Sequence, residues 1–549
     1  METTTEKKMY DEEVAASSDK EVNKYEPGLE PAPEPIAGEN ILARKLQGRH
    51  MQMIAIGGSI GAGLFVGSGG AFSSGGPGSV LLGFMIVGLM LLFTVQALGE
   101  LAVLYPVNGA FYTYAVRFID PAWGFAMGWD YAIGWLTVLP FEITAAGITI
   151  DFWRTDLNIG IWIAVFLTIL AAVQIFGVRG YGEVEFCLSI IKIIAVCGFI
   201  ILGVIIDCGG VKTDPRGYIG AKYWHDPGAF QNGFQGFCGV FVTAAFAFGG
   251  TELVGLAAAE AADPRKTLPT ATKQVFWRIT FFYVVSLFIV GLIVPSNSKV
   301  LLGSSGANTK DSPFVYAIEL AGIKGLPSVF NAVITISVIS VANSCTFAST
   351  RTMQALAANG MGPRFLQYID KKGRPLWCIL IQIAFGFLAF INEASVGSTV
   401  FTWLLSLSGL SYFFVWGSIC LSHIRFRQGW KAQGHTLEEL PYQASFGVIG
   451  SYIGFFLNVI AMIATFYVSL IPIGSPPNAE NFFENYLAAP IVIALYAFWK
   501  IRIRGAGGLY IKAADMDLLT GMRRLELGDE PPPEKSLRNL PMRIVRSLF

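Results

Sequence analysis

The segment that decides the fold is Ile56-Gly57-Gly58-Ser59-Ile60-Gly61-Ala62-Gly63-Leu64-Phe65, an apolar stretch with four glycines among seven residues. It lies inside a run from Met51 to Gly99 that contains no Asp, Glu, Lys or Arg. That run is about twice the roughly 20 residues that cross a bilayer as a helix, so it predicts two membrane spans. The sequence Ser73-Ser74-Gly75-Gly76-Pro77-Gly78 predicts the turn between them, because its proline and glycines end a helix.

The whole chain has the composition of a membrane protein. Of its 549 residues, 53% are hydrophobic and only 14% are charged, where a soluble domain carries about 25% charged residues. Apolar stretches recur along the chain, and we predict an all-α membrane protein with twelve transmembrane helices. The predicted spans are residues 51–71, 79–104, 122–150, 158–177, 186–206, 234–259, 279–295, 326–348, 376–392, 399–422, 446–471 and 486–502.

Charge and cysteine usage argue against several classes of protein. Lys+Arg 39 balances Asp+Glu 39, so there is no basic excess and no nucleic-acid partner is expected. The 7 cysteines occur singly, without a C-x-x-C pair, and the 4 histidines lack metal-ligand spacing, so neither a metal nor another cofactor is predicted. The sequence contains no Ser/His/Asp or phosphate-binding constellation, and it does not predict an enzyme.

The distribution of positive charge predicts the orientation of the chain. With the N-terminus in the cytosol, the inner segments hold 21 Lys and Arg residues and the outer loops hold 7, so both termini are expected to be cytosolic. Residues 1–45 are polar and acidic and are predicted to be a disordered cytosolic tail without a secretory signal. Residues 46–505 form the predicted twelve-span domain, and residues 506–549 a cytosolic C-terminal tail.

The glycines of the first span favour a local interruption of the helix. Each costs roughly 1 kcal/mol relative to Ala, and together they permit an unwound turn at membrane depth. Such a turn exposes backbone N–H groups at the positive end of a half-helix, which suits a carboxylate. The alternative is that the small residues only let helices pack closely. A dinucleotide-binding fold fits less well, because no third glycine follows Gly61-Ala62-Gly63 at the required spacing and no strand precedes it.

The sixth span carries a second interruption, Phe246-Ala247-Phe248-Gly249-Gly250-Thr251-Glu252. An unwound turn at its paired glycines would leave carbonyl groups to accept hydrogen bonds from an ammonium group, with Phe246 and Phe248 as walls. The two interruptions lie five spans apart, as expected if two five-helix repeats pack in inverted orientation around a shared site. The charged loop at residues 260–269 could lock an inner gate through ion pairs or anchor helix ends to anionic lipid.

Ionisable residues inside the predicted spans are candidate functional groups, since a charge at membrane depth costs about 2.5 to 3.5 kcal/mol on insertion scales. They are Lys192, Glu252, Glu142 and Asp130. Lys192 could gain and lose a proton if it faces inward, but it could also snorkel to the membrane interface. Glu252 could instead be a structural acid that is hydrogen-bonded to neighbouring helices. Glu142 and Asp130 could lie nearer a surface, because the ends of span three are not sharply defined.

Several longer runs resemble the fungal amino acid permeases, the yeast amino acid transporter branch of the amino acid–polyamine–organocation superfamily. The resemblance extends from about residue 45 to residue 520 in the family's order. The runs that carry it are Leu46-Gln47-Gly48-Arg49-His50-Met51-Gln52-Met53-Ile54-Ala55, Gln96-Ala97-Leu98-Gly99-Glu100, Tyr105-Pro106-Val107, Arg117-Phe118-Ile119-Asp120-Pro121, Gly249-Gly250-Thr251-Glu252-Leu253-Val254-Gly255-Leu256-Ala257-Ala258 and Leu407-Ser408-Gly409-Leu410-Ser411. Residues 218–228 and 273–280 look most like the general, broad-specificity permeases.

The resemblance implies a LeuT-like fold, with spans one to ten in two inverted five-helix repeats and two additional C-terminal helices. It implies that backbone at residues 61–63 holds a substrate α-carboxylate and that backbone around residues 246–249 holds the α-ammonium, with Phe246 as an aromatic gate. The implied substrate-binding residues are Ser59, Gly61, Ala62, Gly63, Phe246, Ala247, Phe248, Gly249 and Thr251. Lys192 and Glu252 match the family's proton-coupling positions, and Glu142 and Asp130 are further candidates for substrate or coupling.

The function implied by the resemblance is proton-coupled import of amino acids, of broad specificity, across the plasma membrane. The expected partners are an amino acid, a proton, membrane lipid and a ubiquitin-ligase adaptor on the tails, where Lys7, Lys8, Lys20 and Lys24 could accept ubiquitin. Two departures bear on specificity: Ser59 and Ala62 stand where many members have Thr, and Asp130 stands where many have Asn. The alternatives are a facilitative amino acid exchanger and an amino acid-sensing receptor.

Overall fold

The computed structural model describes residues 46, 50–51, 53–54, 58–153, 156–261, 264–298, 301, 312–393, 397–503 and 510–522. The predicted N-terminal tail with its lysines, and the C-terminal tail beyond residue 522, lie outside the described residues. The α-helices of the described part are α1 (Ser68–Leu104), α2 (Ala110–Phe118), α3 (Pro121–Ile150), α4 (Ile159–Ile175), α5 (Gly177–Asp207), α6 (Gly233–Phe248), α7 (Leu253–Ala257), α8 (Pro264–Ile293), α9 (Pro313–Leu320), α10 (Leu326–Ala358), α11 (Leu376–Gly386), α12 (Gly397–Ala432), α13 (Gly447–Leu470), α14 (Ala479–Tyr486) and α15 (Ala488–Arg502).

The described helices are those of an all-α, multi-pass membrane protein. Seven of them are long and apolar enough to cross a bilayer, and α14 and α15 together form an eighth candidate that is bent by 67°. Three shorter apolar helices, Ile159–Ile175, Thr280–Ile293 and Leu376–Ile391, coincide with predicted spans four, seven and nine. The predicted total of twelve and the paired repeats stay predictions.

The second half of predicted span one and the whole of span two form a single helical stretch of 42 residues, Gly63–Leu104. At 1.5 Å per residue this stretch is about 60 Å long, twice the thickness of the hydrocarbon core. It is broken at Gly76, where φ is +78°, and Pro77 follows. A Cβ atom at Gly76 would lie 2.7 Å from the carbonyl oxygen of Ala229, so glycine is required at the bend. The break predicted at residues 73–78 is therefore confirmed.

Helix α3 carries several residues of the candidate site, and the residues at its N-terminus determine where it begins. The carboxylate of Asp120 accepts hydrogen bonds from the N–H groups of Ala122 and Trp123, each at 3.1 Å. Pro121 occupies the first helical position, where no backbone N–H is needed. From this start α3 packs most extensively against α10, and it also contacts α12 and α15.

The centre of the protein is formed by α1, α3, α6, α10 and α12, and α13 lies at its edge. The second half of α6 is buried, although Phe234 near its start is exposed, whereas α13 is mostly exposed and contacts α12, α1 and α6 along one side. Three short helices, α2, α9 and α14, lie in connections for which the sequence predicts no helix. Part of the predicted C-terminal tail packs against the helical domain, where Tyr105 donates a hydrogen bond to the Leu518 carbonyl at 2.8 Å.

Candidate functional site

The first span is interrupted where its glycines predict an interruption. Residues 50–54 are helical where they are described, residues 58–61 are not helical, and helix resumes at Gly63. The N–H of Gly58 donates to Ile54 at 2.9 Å, which closes the first half, and the N–H of Phe65 donates to Gly61 at 3.2 Å, which opens the second. Residues 55–57 lie outside the described part of the chain.

The sixth span is interrupted at its paired glycines. Helix α6 ends at Phe248, Gly249 leaves helical geometry with ψ 141°, and Gly250 has a φ of +98°. The chain becomes helical again in α7, which begins at Leu253. The Thr251 hydroxyl donates to the Phe248 carbonyl at 2.8 Å, so Thr251 stabilises the end of α6 from within the break.

The two interruptions lie directly against each other. A Cβ atom at Gly63 would stand 2.7 Å from the Cα atom of Ala247, so no side chain fits between these backbones. The hydroxyl of Tyr283, on α8, lies 2.5 Å from the Ser59 carbonyl oxygen and 2.7 Å from the Ala247 carbonyl oxygen. One tyrosine therefore connects both broken segments, and nothing in the sequence pattern predicts that connection.

Away from this direct contact, a small cavity lies between the two interrupted segments. Its open space is about 10 Å³, enough for roughly one water molecule. Side chains must therefore move before anything as large as an amino acid can enter. The cavity is lined by Gly58, Ser59, Gly61, Gly63, Trp135, Val138, Glu142, Phe246, Gly249, Val341 and Tyr412.

The cavity lies between helix ends of opposite polarity. The stretch Gly63–Leu104 presents its N-terminal end, whose first N–H groups have no acceptor within the helix, and α6 presents its C-terminal end at Phe248. The carboxyl group of Glu142 lies at this end: its Oε1 atom would be 3.3 Å from a Cβ atom at Gly61, and it interacts with the N–H of Ala62. Glu142 Oε2 has no hydrogen-bond partner among the described residues. An acid of the protein itself therefore occupies the helix end that suits an anion.

Five of the nine predicted substrate-binding residues line the cavity, namely Ser59, Gly61, Gly63, Phe246 and Gly249. The other four, Ala62, Ala247, Phe248 and Thr251, are buried beside it. The Phe248 ring packs on Tyr283 with centroids 4.6 Å apart, so it supports the site from behind. The Phe246 ring meets the edge of Phe141 at 4.9 Å and is the aromatic group at the cavity wall.

Lys192 is fully buried and is not directed toward the surface of the protein. Snorkelling therefore does not describe its position in this structure. The ammonium group interacts electrostatically with two acids, Glu185 and Glu142. Because Glu142 lines the cavity, Lys192 is linked to the cavity through that acid, although Lys192 itself is not a lining residue.

The acid of the sixth span is held by three neighbours. Glu252 accepts hydrogen bonds from the Tyr131 hydroxyl at 3.0 Å and the Trp416 indole at 3.2 Å, and its carboxylate also lies 3.2 Å from the N–H of Gly250. These contacts tie the break in span six to α3 and α12.

Asp130 is likewise buried and accepts a hydrogen bond from the Ser411 hydroxyl at 2.9 Å. Neither acid lines the cavity.

Four side chains that line the cavity are not among the residues that the sequence indicates. They are Trp135 and Val138 on α3, Val341 on α10 and Tyr412 on α12. A Cβ atom at Gly249 would stand 2.2 Å from the Tyr412 ring, so this ring covers the break in span six. The only signal for Tyr412 is that it directly follows the family-like run that ends at Ser411. Within the described residues, no group of three His, Cys, Asp or Glu side chains is arranged to hold a metal ion.

A buried ion pair lies beyond the break in span six, at the end of the segment that follows α7. Arg351 Nε, on α10, lies 2.9 Å from Glu260 Oε1, and both side chains are buried. The N–H of Leu46 donates to the Glu260 carbonyl at 3.1 Å, so the chain before span one is attached at the same place. Ion pairing by the loop at residues 260–269 is thus observed for Glu260, while residues 262–263 lie outside the described residues.

An all-helical membrane protein in which two interrupted helices enclose a buried cavity has the architecture of a solute transporter. The sequence matches the family described as Amino acid permease over residues 50–506. It is 53% identical to Cationic amino acid transporter 1 of Schizosaccharomyces pombe, over 90% of this chain and 84% of that protein. It is 52% identical to General amino-acid permease GAP1 of Saccharomyces cerevisiae, over 90% of this chain and 82% of that protein. The chain belongs to the amino acid permease family.

Proposed function

We propose that this protein is a proton-coupled symporter that imports amino acids of broad specificity across the plasma membrane. The observation that supports the proposal most is the cavity between two helix ends of opposite polarity. A zwitterion carries a negative and a positive pole a short distance apart, so it matches such a pair of ends. Membership of the amino acid permease family supports an amino acid as the substrate.

The proposed architecture has twelve transmembrane helices in a LeuT-like arrangement of two inverted five-helix repeats and two additional helices. Residues 46–505 form the transporter domain, and the tails at residues 1–45 and 506–549 are cytosolic. The interrupted spans one and six are the first helices of the two repeats. The contact between their interruptions supports this arrangement. The tails would meet a ubiquitin-ligase adaptor, and the exposed apolar helix faces would meet lipid.

In the proposed complex, the substrate carboxylate accepts hydrogen bonds from the N–H groups at residues 61–63 and displaces Glu142 from Ala62. The substrate ammonium group donates hydrogen bonds to carbonyl groups around residues 246–249. The Ala247 carbonyl already accepts from Tyr283, but a carbonyl oxygen has two lone pairs and can accept a second hydrogen bond. Phe246 covers the bound substrate.

Displacement of Glu142 gives the proposal its coupling step. Glu142 and Lys192 interact electrostatically, so a substrate that pushes Glu142 away from Ala62 changes the charge balance around Lys192. A proton bound in this cluster would then enter together with the substrate. Glu252 is the second proton-coupling candidate. At 100 mV, one proton supplies about 2.3 kcal/mol, enough for roughly 40-fold accumulation of a neutral substrate.

Broad specificity is proposed because the backbone recognises only the two poles that all α-amino acids share. The substrate side chain would lie among Trp135, Val138, Val341 and Tyr412, which are apolar or aromatic. Asp130 would favour cationic side chains from a position behind this wall. The relatives include one named as a cationic amino acid transporter and one named as a general permease, and both names are compatible with this proposal.

Uptake into proteoliposomes tests the proposal. Purified protein is reconstituted, a pH gradient is imposed, and uptake of radiolabelled L-alanine is followed with and without the gradient. A symporter concentrates L-alanine only when the gradient is present. Uptake that exchanges with internal amino acid but ignores the gradient would identify a facilitative exchanger, and binding without any flux would identify a receptor. Competition by each of the twenty amino acids then measures specificity.

A further inference from the structure

One face of α5 is polar although the rest of the helix is apolar. Tyr181, Glu185, Ser189 and Lys192 follow one another at helical spacing, and all four are buried. Ile191 and Ile194, on other faces of the same helix, are exposed. Polar and ionisable groups that face the interior of a membrane protein are costly, so a row of them is a functional candidate.

Glu185 is the acid of this row, and it is not among the candidate residues that the sequence indicates. It is fully buried, and its Oε1 atom accepts a hydrogen bond from the Ser340 hydroxyl on α10 at 2.5 Å. Its Oε2 atom lies 3.4 Å from the amide nitrogen of Asn343, which also belongs to α10. Lys192 lies two turns further along the same buried face of α5, and its ammonium group interacts electrostatically with both Glu185 and Glu142.

The position of Glu185 places it between Lys192 and the proposed cytosolic side. Seven residues separate it from Lys192, about 10 Å of helix rise toward the beginning of α5. One turn further, Gly182 leaves room for the ring of His50, whose Cγ atom would lie 3.2 Å from a Cβ atom there. His50 Nε2 is 3.2 Å from Glu183 Oε1, and the Glu183 side chain is 42% exposed. Glu183, two residues before Glu185, therefore brings a partly exposed acid to the same end of α5.

We propose that Glu185 receives the transported proton from Lys192 and delivers it to the cytosol. In the first step, an N–H bond of the Lys192 ammonium breaks and an O–H bond forms on the Glu185 carboxylate, which leaves a neutral amine and a neutral acid. In the second step, the acid loses its proton to water on the cytosolic side and becomes a carboxylate again. This inference rests on the proton coupling of the proposed function.

A buried lysine–acid pair suits such a transfer. In a medium of low dielectric, the charged pair and the neutral pair differ little in free energy. Neutralisation removes the cost of desolvating both charges, but it also removes the attraction between them. The other titratable groups around Glu185 are Tyr181 on α5 and Cys345 on α10, and both interact electrostatically with it. Neither provides a second carboxylate at this level of the helix.

A purely structural role for Glu185 makes a different prediction from a relay. As a cross-link between α5 and α10, the carboxylate needs only its hydrogen bonds with Ser340 and Asn343. Glutamine keeps an oxygen acceptor of the same reach for the Ser340 hydroxyl, and it loses only the longer 3.4 Å contact with the Asn343 amide, whose own oxygen accepts from Gln174. Glutamine cannot bind and release a proton. The variant Glu185→Gln therefore preserves the cross-link and removes the relay.

The experiment compares two transport modes of the full-length protein in proteoliposomes. Labelled L-alanine is exchanged for internal L-alanine at equal pH, which needs no net proton movement, and its uptake is then driven by a pH gradient. We expect Glu185→Gln to exchange within about twofold of the wild type and to lose about tenfold or more of its gradient-driven rate. Glu185→Asp should recover part of that rate. Asp207→Asn, at the other end of α5, is the matched control and should behave as the wild type in both modes.

Each result decides the matter. Gradient-driven uptake at the wild-type rate by Glu185→Gln overturns the relay. Equal loss of exchange and of driven uptake, in a variant that purifies as a monodisperse protein, also overturns it, because a structural role then suffices. If the wild-type protein exchanges L-alanine but its uptake does not respond to the gradient, proton coupling itself is contradicted. That result is seen before any variant is compared, so it is distinct from a failure of the relay.

Discussion

Gly250 lies against the carbonyl group of Gly58, so closely that a Cβ atom on Gly250 would stand 2.5 Å from that oxygen. The two residues belong to spans six and one and are far apart in sequence. Gly250 also has a φ of +98°, a conformation that L side chains rarely adopt. The contact between the two interrupted spans thus depends on two separate properties of one glycine, its missing side chain and its backbone freedom.

The first prediction follows from this contact. Gly250→Ala should separate the two breaks, because strain of about 1–2 kcal/mol from the backbone adds to a clash with main-chain atoms that cannot move aside. We expect folded protein at the membrane but uptake of L-alanine reduced at least about tenfold. Gly198→Ala is the control, since a Cβ atom at Gly198 meets nothing within 4 Å. Normal uptake by Gly250→Ala would mean that the contact is not needed.

The second prediction separates two neighbouring aromatic residues. Phe246 lines the cavity, whereas Phe248 packs on Phe84 and Tyr283 behind it. Phe246→Ala should raise the KM for L-alanine, in addition to the stability that removal of a buried ring costs. Phe248→Ala should mainly lower stability, by about 3 kcal/mol, through the cavity it leaves. Uptake kinetics and thermal unfolding of the two purified variants measure this; a reversed pattern would place the substrate on the other side of α6.

The third prediction concerns the tyrosine that connects the breaks. Tyr283→Phe removes only the hydroxyl, whose oxygen lies within hydrogen-bond distance of the Ser59 and Ala247 carbonyls. Leaving a buried carbonyl without its donor should cost about 1–3 kcal/mol of stability and slow uptake. Tyr452→Phe, at an exposed position on α13, should change neither quantity. An unaltered melting temperature for Tyr283→Phe would show that the hydroxyl does not hold the breaks together.

The fourth prediction tests the inner ion pair. Removing one partner, as in Glu260→Gln or Arg351→Gln, leaves a buried charge and should cost about 3 kcal/mol. The double variant should cost much less than the sum, because no uncompensated charge remains. Thermal unfolding of the four proteins gives the coupling energy, and proteolysis from the cytosolic side reports whether that face has opened. Additive losses would mean that the two side chains do not act as a pair.

The sequence predicts those parts of the site that depend on local backbone chemistry. Glycines concentrated in two apolar spans predict both interruptions, and the structure has them at residues 58–61 and at residues 249–250. The bend at Gly76 follows from the same kind of signal. Each of these features is encoded in a few adjacent residues, so a single sequence is enough to find it.

Features that depend on packing between distant helices are not encoded locally. Trp135, Val341 and Tyr412 reach the cavity from three different helices, and each has the ordinary appearance of an apolar or aromatic residue in a span. Glu185 lies near the beginning of α5, where an acid is typical of a membrane interface, and only its contacts with α10 reveal its burial. The direction in which a helix faces decides these roles, and that direction follows from tertiary packing.

The central claim is that the two broken helices bind the two poles of one amino acid. Displacement of labelled L-alanine from the purified protein tests it most directly, with L-alanine methyl ester, which lacks the carboxylate, and N-acetyl-L-alanine, which lacks the ammonium group. The account predicts that unlabelled L-alanine displaces the label and that neither analogue does so at a 100-fold higher concentration, on the order of the discrimination expected when buried polar groups lose their partner. Displacement by either analogue at the concentration that suffices for L-alanine would contradict it.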